Sequence, residues 1–76
     1  MNANDNMPMI VNSRIVPSNN GKAFYVEVEV EMSGKRGWYY YPAGAGLYKK
    51  DAEKMAKDVI GTQYDYPMHG EYTVSE

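Results

Sequence analysis

The segment AFYVEVEVEM, residues 23–32, decides the fold. From Phe24 to Met32 every second side chain is apolar, and Tyr25 and three glutamates occupy the positions between them. A period of two places these two sets on opposite faces of a β-strand. We therefore predict a strand with one face in the core and the other face towards solvent.

The residues before this strand are predicted to pair with it as a hairpin. Residues 9–16 have a β-like mixture of side chains, and Asn20-Gly21 follows them. Asn-Gly favours a two-residue type I′ turn, in which both central residues have positive φ. This turn sets Asn19 opposite Lys22 and fixes the register. The predicted cross-strand pairs are Ile15 with Val26, Val11 with Val30 and Met9 with Met32 on the apolar face, and Arg14 with Glu27 on the other.

A third strand is predicted at Trp38–Tyr41, after a turn at residues 33–37. A two- or four-residue loop would place Tyr39 and Tyr41 beside Val30 and Val28 in the core. Trp38 and Tyr40 would then lie over Glu31 and Glu29 on the outer face. A three-residue loop with a bulge would reverse these directions. Both alternatives leave two large aromatic side chains on the outer face.

A helix is predicted at residues 47–60, after a flexible connector at residues 42–46. Its apolar positions form one stripe, and Gly61 occupies the expected C′ position. Residues 71–75 alternate and predict a short closing strand. The order is β-β-β-α-β, an α+β fold in which an antiparallel meander has one amphipathic helix on one face. Residues 1–8 are predicted to be a disordered leader, and residues 9–76 a single domain.

Size and composition argue against an enzyme and against a membrane protein. The chain has 76 residues, a net charge of −2 and no cysteine. A domain of this size buries roughly 60% of its unfolded surface, which leaves little room for a deep active site. The lack of cysteine excludes disulfides and thiolate metal sites and favours a reducing compartment. With no signal peptide and no long apolar segment, we expect a cytoplasmic protein without membrane contact.

Two motifs that could carry chemistry are better explained by local structure. His69 is the only imidazole and has Asp65 and Glu71 near it in sequence. Metal sites need three or four ligands with a recognisable spacing, so we interpret His69 as a solvated turn residue. Gly44-Ala45-Gly46 lacks the further glycines or the Gly-Lys-Ser/Thr ending of a phosphate loop. We predict no catalytic residue, no metal and no cofactor.

A basic hairpin tip suggests one binding function. Lys35 and Arg36 precede Trp38, and a β-ribbon with such a tip can enter a nucleic-acid groove and stack an aromatic ring on a base. The three glutamates of the preceding strand would repel a phosphate backbone. Nucleic-acid binding is therefore an alternative that we do not favour.

The eight tyrosines are the compositional outlier and suggest another function. Tyrosine and tryptophan are enriched in recognition surfaces, since they offer large amphipathic area with few rotatable bonds. We expect the open sheet face to bind a larger protein. The residues predicted to make this contact are Trp38, Tyr40, Glu29 and Glu31 on the face, with Tyr64 and Tyr66 at its rim. Self-association through the open face would satisfy the same observation. A homodimer built by pairing edge strands is a third possibility.

Three features together resemble small proteins that bacteriophages and mobile elements encode against host machines. They are the alternation over Phe24–Met32, the aromatic strand Trp38–Tyr41 and the helix over Asp51–Ile60. The resemblance is to inhibitors of host RNA polymerase and to anti-CRISPR proteins. It implies a non-enzymatic, protein-binding inhibitor that occludes a surface of a larger host protein or nucleoprotein complex.

Overall fold

The computed structural model describes residues 7–66. Three antiparallel strands form a sheet in the order β1-β2-β3, and one helix lies on one face against β1 and β2. The elements are β1 (Met9–Pro17), β2 (Phe24–Met32), β3 (Lys35–Tyr40), a 3₁₀ turn (Pro42–Gly44) and α1 (Lys49–Asp58). The predicted meander with one helix is confirmed. The closing strand predicted at residues 71–75 lies outside the described residues.

The core forms between β2 and α1, as the alternation in β2 predicts. Val26, Val28 and Val30 are fully buried on the face that meets the helix. The remaining buried apolar residues are Ile10, Ala52, Ala56, Val59 and Tyr64. The small alanine side chains let the helix approach the sheet closely, and the Ser13 hydroxyl donates a hydrogen bond to the carbonyl of Ala56.

The register of β1 against β2 follows the prediction near the turn and departs from it at a bulge. Ile15 pairs with Val26 and Arg14 with Glu27, as predicted. The register then shifts between Ile10 and Asn12, with Val11 as the extra residue. Ile10 therefore faces Val30 and Met9 faces Glu31. The predicted pairs of Val11 with Val30 and of Met9 with Met32 are wrong.

The backbone that follows α1 is hydrogen-bonded to the chain at this bulge. The amide of Ile10 donates to the carbonyl of Thr62 at 2.8 Å, and the amide of Gly61 donates to the carbonyl of Ile10 at 2.8 Å. The amide of Tyr64 donates to the carbonyl of Pro8 at 2.8 Å, so Pro8, at the end of the predicted leader, is tied to this segment. These bonds explain the bulge: they hold Ile10, which is 1% exposed, in the core.

The first hairpin loop differs from the predicted type I′ turn. The amide of Gly21 donates to the carbonyl of Ser18 at 2.9 Å, which centres the turn on Asn19 and Asn20. Gly21 has φ +71°, whereas Asn20 lacks the positive φ that a type I′ turn requires. The Asn20 side chain explains the difference, because its Oδ1 accepts bonds from the Ser18 hydroxyl at 2.7 Å and the Lys22 amide at 2.9 Å. The loop still leaves β1 and β2 in the predicted register at their ends.

The second hairpin loop resolves the ambiguity in β3. Ser33 and Gly34 have φ values of +53° and +79°, and Met32 faces Lys35 across this two-residue loop. Residues 35–37 thus belong to β3 rather than to the turn. As the two-residue alternative predicts, Tyr39 points to the helix side and Trp38 to the outer side. Their partners lie two residues from the predicted ones, however: Tyr39 faces Val28, Trp38 faces Glu29 and Tyr40 faces Glu27.

The connector between β3 and α1 is packed against the core instead of forming a flexible link. A Cβ at Gly44 would lie 2.6 Å from Cβ of Val26 and 3.3 Å from Sδ of Met55, so only glycine fits there. Leu47 exchanges two backbone hydrogen bonds with Phe24, at 2.9 and 3.0 Å. This pairing delays the helix start to Lys49. At the other end Ile60 is 46% exposed and lies beyond the helix, so the predicted span of 47–60 was two residues too long at each end.

Candidate protein-interaction face

The sheet surface opposite α1, here called the outer face, is the candidate site. Alternation along the three paired strands places eleven side chains on it. They are Met9, Asn12, Arg14 and Val16 of β1, Tyr25, Glu27, Glu29 and Glu31 of β2, and Arg36, Trp38 and Tyr40 of β3. Within residues 7–66, no helix or strand packs against this face.

A partly buried ion pair and an aromatic ring lie at the centre of the outer face. Nε of Arg14 donates to Oε1 of Glu27 at 2.9 Å, and Glu27 is only 3% exposed. The guanidinium carbon of Arg14 lies 4.1 Å from the ring centroid of Trp38, within range of a cation–π contact. Arg14 therefore neutralises the buried carboxylate and fixes the orientation of the indole. The predicted pairing of Arg14 with Glu27 is confirmed, whereas the contact with Trp38 could not be foreseen without the register of β3.

A depression lies beside this ion pair. Its volume is about 300 Å³, and it is lined by Val16, Tyr25, Glu27 and Tyr40. The two tyrosine rings are 6.2 Å apart and tilted by 53°. Its lining therefore combines aromatic rings with one carboxylate.

The outer face becomes acidic towards the second hairpin loop. Glu29 faces Trp38, and Glu31 accepts a hydrogen bond from Nε of Arg36 at 2.9 Å. The hydrogen bond and the charge of Glu31, together with the charge of Glu29, raise the pKa of Arg36. Three carboxylates and two guanidiniums leave the face with a net negative charge.

This pairing weakens the case for a nucleic-acid site at the hairpin tip. Lys35 is exposed beside the loop, but the charge of Arg36 is partly offset by Glu31, to which its Nε donates at 2.9 Å. On α1, Lys54 is paired with Asp58 at 3.1 Å. Both guanidinium groups of the outer face, those of Arg14 and Arg36, are thus paired with carboxylates.

Tyr64 and Tyr66 do not lie at the rim of the outer face, so their predicted placement is wrong. Tyr64 is 4% exposed on the helix side of the sheet, and its hydroxyl donates to the carbonyl of Tyr40 at 2.8 Å. Its ring lies 5.7 Å from that of Tyr39 and 5.5 Å from that of Tyr66, which is 5.3 Å from Tyr41. Burial is the main cause that raises the pKa of Tyr64 and of Tyr41.

The position of the helix explains this tyrosine cluster, which consists of Tyr39, Tyr41, Tyr64 and Tyr66. The ten-residue helix lies against β1 and β2, so the inward side of β3 needs another cover. The segment after α1 supplies that cover with Tyr64 and Tyr66. Half of the eight tyrosines therefore stabilise the fold, and the outer face keeps Tyr25 and Tyr40.

Neither a metal site nor a membrane span is found in residues 7–66. No group of three or more histidine, cysteine, aspartate or glutamate side chains in this range could hold a metal ion. No helix in the same range is long and apolar enough to cross a membrane. His69 and Glu71 lie outside the described residues, and Asp65 is exposed.

Comparison with protein-family models, with curated proteins and with solved structures gives no match for this chain.

Proposed function

We propose that the chain is a non-enzymatic protein-binding module, whose outer face covers a surface of a larger protein and thereby inhibits or modulates it. The observation that carries this proposal is the composition of the outer face. Trp38, Tyr40 and Tyr25 lie together there around a charge pair, and no helix or strand of residues 7–66 covers them.

The physical properties of this face suit protein recognition. Tryptophan, tyrosine and arginine are the residues that most often dominate binding energy at interfaces. The contact between Arg14 and Trp38 fixes two long side chains before binding, which lowers the entropy lost on association. Glu27 is already buried and paired, so a partner that covers it removes little further water from a charge.

The proposal also covers the class of partner. The resemblance to phage-encoded inhibitors supports a host protein or nucleoprotein complex as the target, in the cytoplasm. The helix side of the sheet is filled by α1 and the tyrosine cluster, which leaves the outer face as the broad sheet surface for such a contact.

Affinity capture with matched variants tests the proposal. The bait is the tagged full chain, and the variant is Trp38→Thr with Tyr40→Thr, since threonine keeps the β-propensity of β3. The control is Tyr48→Thr, because Tyr48 precedes α1 and is 79% exposed, away from the outer face. We expect a host protein that wild type and control retain from nuclease-treated lysate and that the double variant binds at least about thirtyfold more weakly. Equal affinity for all three baits, with all three folded, would contradict the proposal.

Two added measurements test the other predicted partners. If capture occurs only from a parallel lysate without nuclease treatment and is lost in Lys35→Gln with Arg36→Gln, the outer face is not the site and the nucleic-acid alternative holds. If light scattering shows a dimer that the Trp38 and Tyr40 substitutions dissociate, the face binds a second copy of the chain. Either result would overturn the proposal of a larger protein partner.

A further inference from the structure

We infer that the depression lined by Val16, Tyr25, Glu27 and Tyr40 receives a basic side chain, lysine or arginine, from the surface of the partner protein. This inference rests on the proposed function and specifies the chemistry that the outer face recognises. The occupant follows from three properties of the depression: its aromatic walls, its buried carboxylate and the charge around it.

The walls and floor favour a cation with an apolar stem. Tyr25 and Tyr40 present tilted rings 6.2 Å apart, and Val16 adds an apolar wall. A cation near the face of a tyrosine ring is attracted by the negative π-surface, and the methylene stem of lysine or arginine packs on the apolar atoms. Glu27 contributes a carboxylate to the same lining.

Glu27 has the capacity to bind this second cation. Its Oε1 accepts the hydrogen bond from Arg14. Among residues 7–66, this is the single hydrogen bond to the Glu27 carboxylate. A carboxylate can accept about four hydrogen bonds, so acceptor positions remain. The remaining oxygen can therefore accept a bond from an ammonium or guanidinium group in the depression. Glu29 and Glu31, further along β2, make the approach attractive for a cation and repulsive for an anion.

The outer face already contains one example of this arrangement. Arg14 lies between the carboxylate of Glu27 and the ring of Trp38, at 2.9 Å and 4.1 Å. The depression offers the same carboxylate with the rings of Tyr25 and Tyr40 in place of the indole. A partner side chain would thus repeat, on the other side of Glu27, a contact that the chain itself makes.

A titration followed by ¹H–¹⁵N NMR tests the inference with defined probes. The probes are acetyl-Gly-Lys-Gly-amide and acetyl-Gly-Arg-Gly-amide, and the neutral control is the same peptide with norleucine. We expect saturable shifts at residues 16, 25, 27 and 40 with a dissociation constant of about 1–10 mM for at least one basic peptide, and binding at least about fivefold weaker for norleucine. Equal binding of the norleucine peptide, or no saturable shift at these residues, would overturn the inference. Saturable binding of tetramethylammonium, with no saturable binding of either basic peptide, would also overturn it, because the site would then select a small quaternary ammonium ion.

Variants separate the depression from the general charge of the face. Glu27→Gln and Glu29→Gln remove the same charge from the same strand, but only Glu27 lines the depression. We expect Glu27→Gln to weaken the basic peptide at least about fivefold and Glu29→Gln to leave the affinity within about twofold. Because Glu27→Gln also disturbs Arg14, Tyr25→Leu provides a second test and should weaken binding about fivefold. Equal losses in Glu27→Gln and Glu29→Gln, or no loss in folded Tyr25→Leu, would contradict the inference.

The proposed function and this inference can fail separately. If the substitutions at Trp38 and Tyr40 abolish capture of the partner while no basic peptide binds, the outer face is the interface and the depression is not its specificity site. If basic peptides bind but these substitutions leave capture unchanged, the depression binds cations and the interface lies elsewhere.

Discussion

Arg14→Met tests how strongly the ion pair of the outer face supports the fold. Methionine keeps an unbranched stem that can pack on Trp38, but it loses the hydrogen bond to Glu27. Glu27 is 3% exposed, and removing one partner of a fully buried pair costs about 3–5 kcal/mol. The Arg14 side chain is 27% exposed, so water can reach the vacated position and reduce this penalty. We therefore expect a loss of about 2–3 kcal/mol.

This loss is a large part of the total stability. A chain of 76 residues has a free energy of unfolding of about 4–11 kcal/mol. Urea unfolding followed by circular dichroism measures the change, and a midpoint shift of about 2–3 M is expected for a slope near 1 kcal/mol per M. The control is Lys54→Met, which breaks a pair whose side chains are 80% and 59% exposed and should cost below about 0.5 kcal/mol. If Arg14→Met destabilises the protein no more than Lys54→Met does, the ion pair does not support the fold.

Three further changes test the packing on the helix side. Gly44→Ala should destabilise the protein by about 1–3 kcal/mol in the same urea assay, because its Cβ would lie 2.6 Å from Val26; a stabilised variant would mean that the connector moves freely. Tyr64→Phe should cost about 1 kcal/mol by removing the hydrogen bond to the carbonyl of Tyr40, and an unchanged midpoint would contradict that bond. The raised pKa values of Tyr64 and Tyr41 mean that above pH 10 the unfolded chain loses protons that the folded chain keeps. Stability should therefore fall as pH rises from 10 through the folded pKa values, as urea midpoints at pH 9 and pH 11 would show, and a flat profile would argue against this burial.

The sequence predicts the part of the fold that depends on local patterns. Alternation over Phe24–Met32 identifies the central strand and its buried valines, and the charge pair of Arg14 with Glu27 follows from the register at the hairpin end. Helix periodicity identifies α1, although Leu47 pairs with Phe24 and shortens it. Such features are encoded within one segment or one hairpin.

The features that the sequence does not predict depend on contacts between distant segments. The bulge at Val11 accompanies bonds from Ile10 to the backbone after α1, about fifty residues later. The placement of Tyr64 depends on how much of β3 the helix leaves uncovered. No local sequence pattern predicts that uncovered area. Side-chain hydrogen bonds also change the turn type, because Oδ1 of Asn20 accepts a bond from the Lys22 amide and stabilises a loop other than the expected type I′ turn. For the candidate site, the contact of Arg14 with Trp38 becomes visible only when all three strands are in register.

Hydroxyl-radical footprinting of the complex shows directly whether the outer face is the binding surface. Aromatic side chains on both sides of the molecule report in one experiment, with Trp38 and Tyr40 on the outer face and Tyr48 beside α1 as an internal reference. We predict that the captured partner lowers the oxidation of Trp38 and Tyr40 and leaves that of Tyr48 unchanged. Protection of Tyr48 with unchanged oxidation of Trp38 and Tyr40 would place the partner on the helix side and contradict the account.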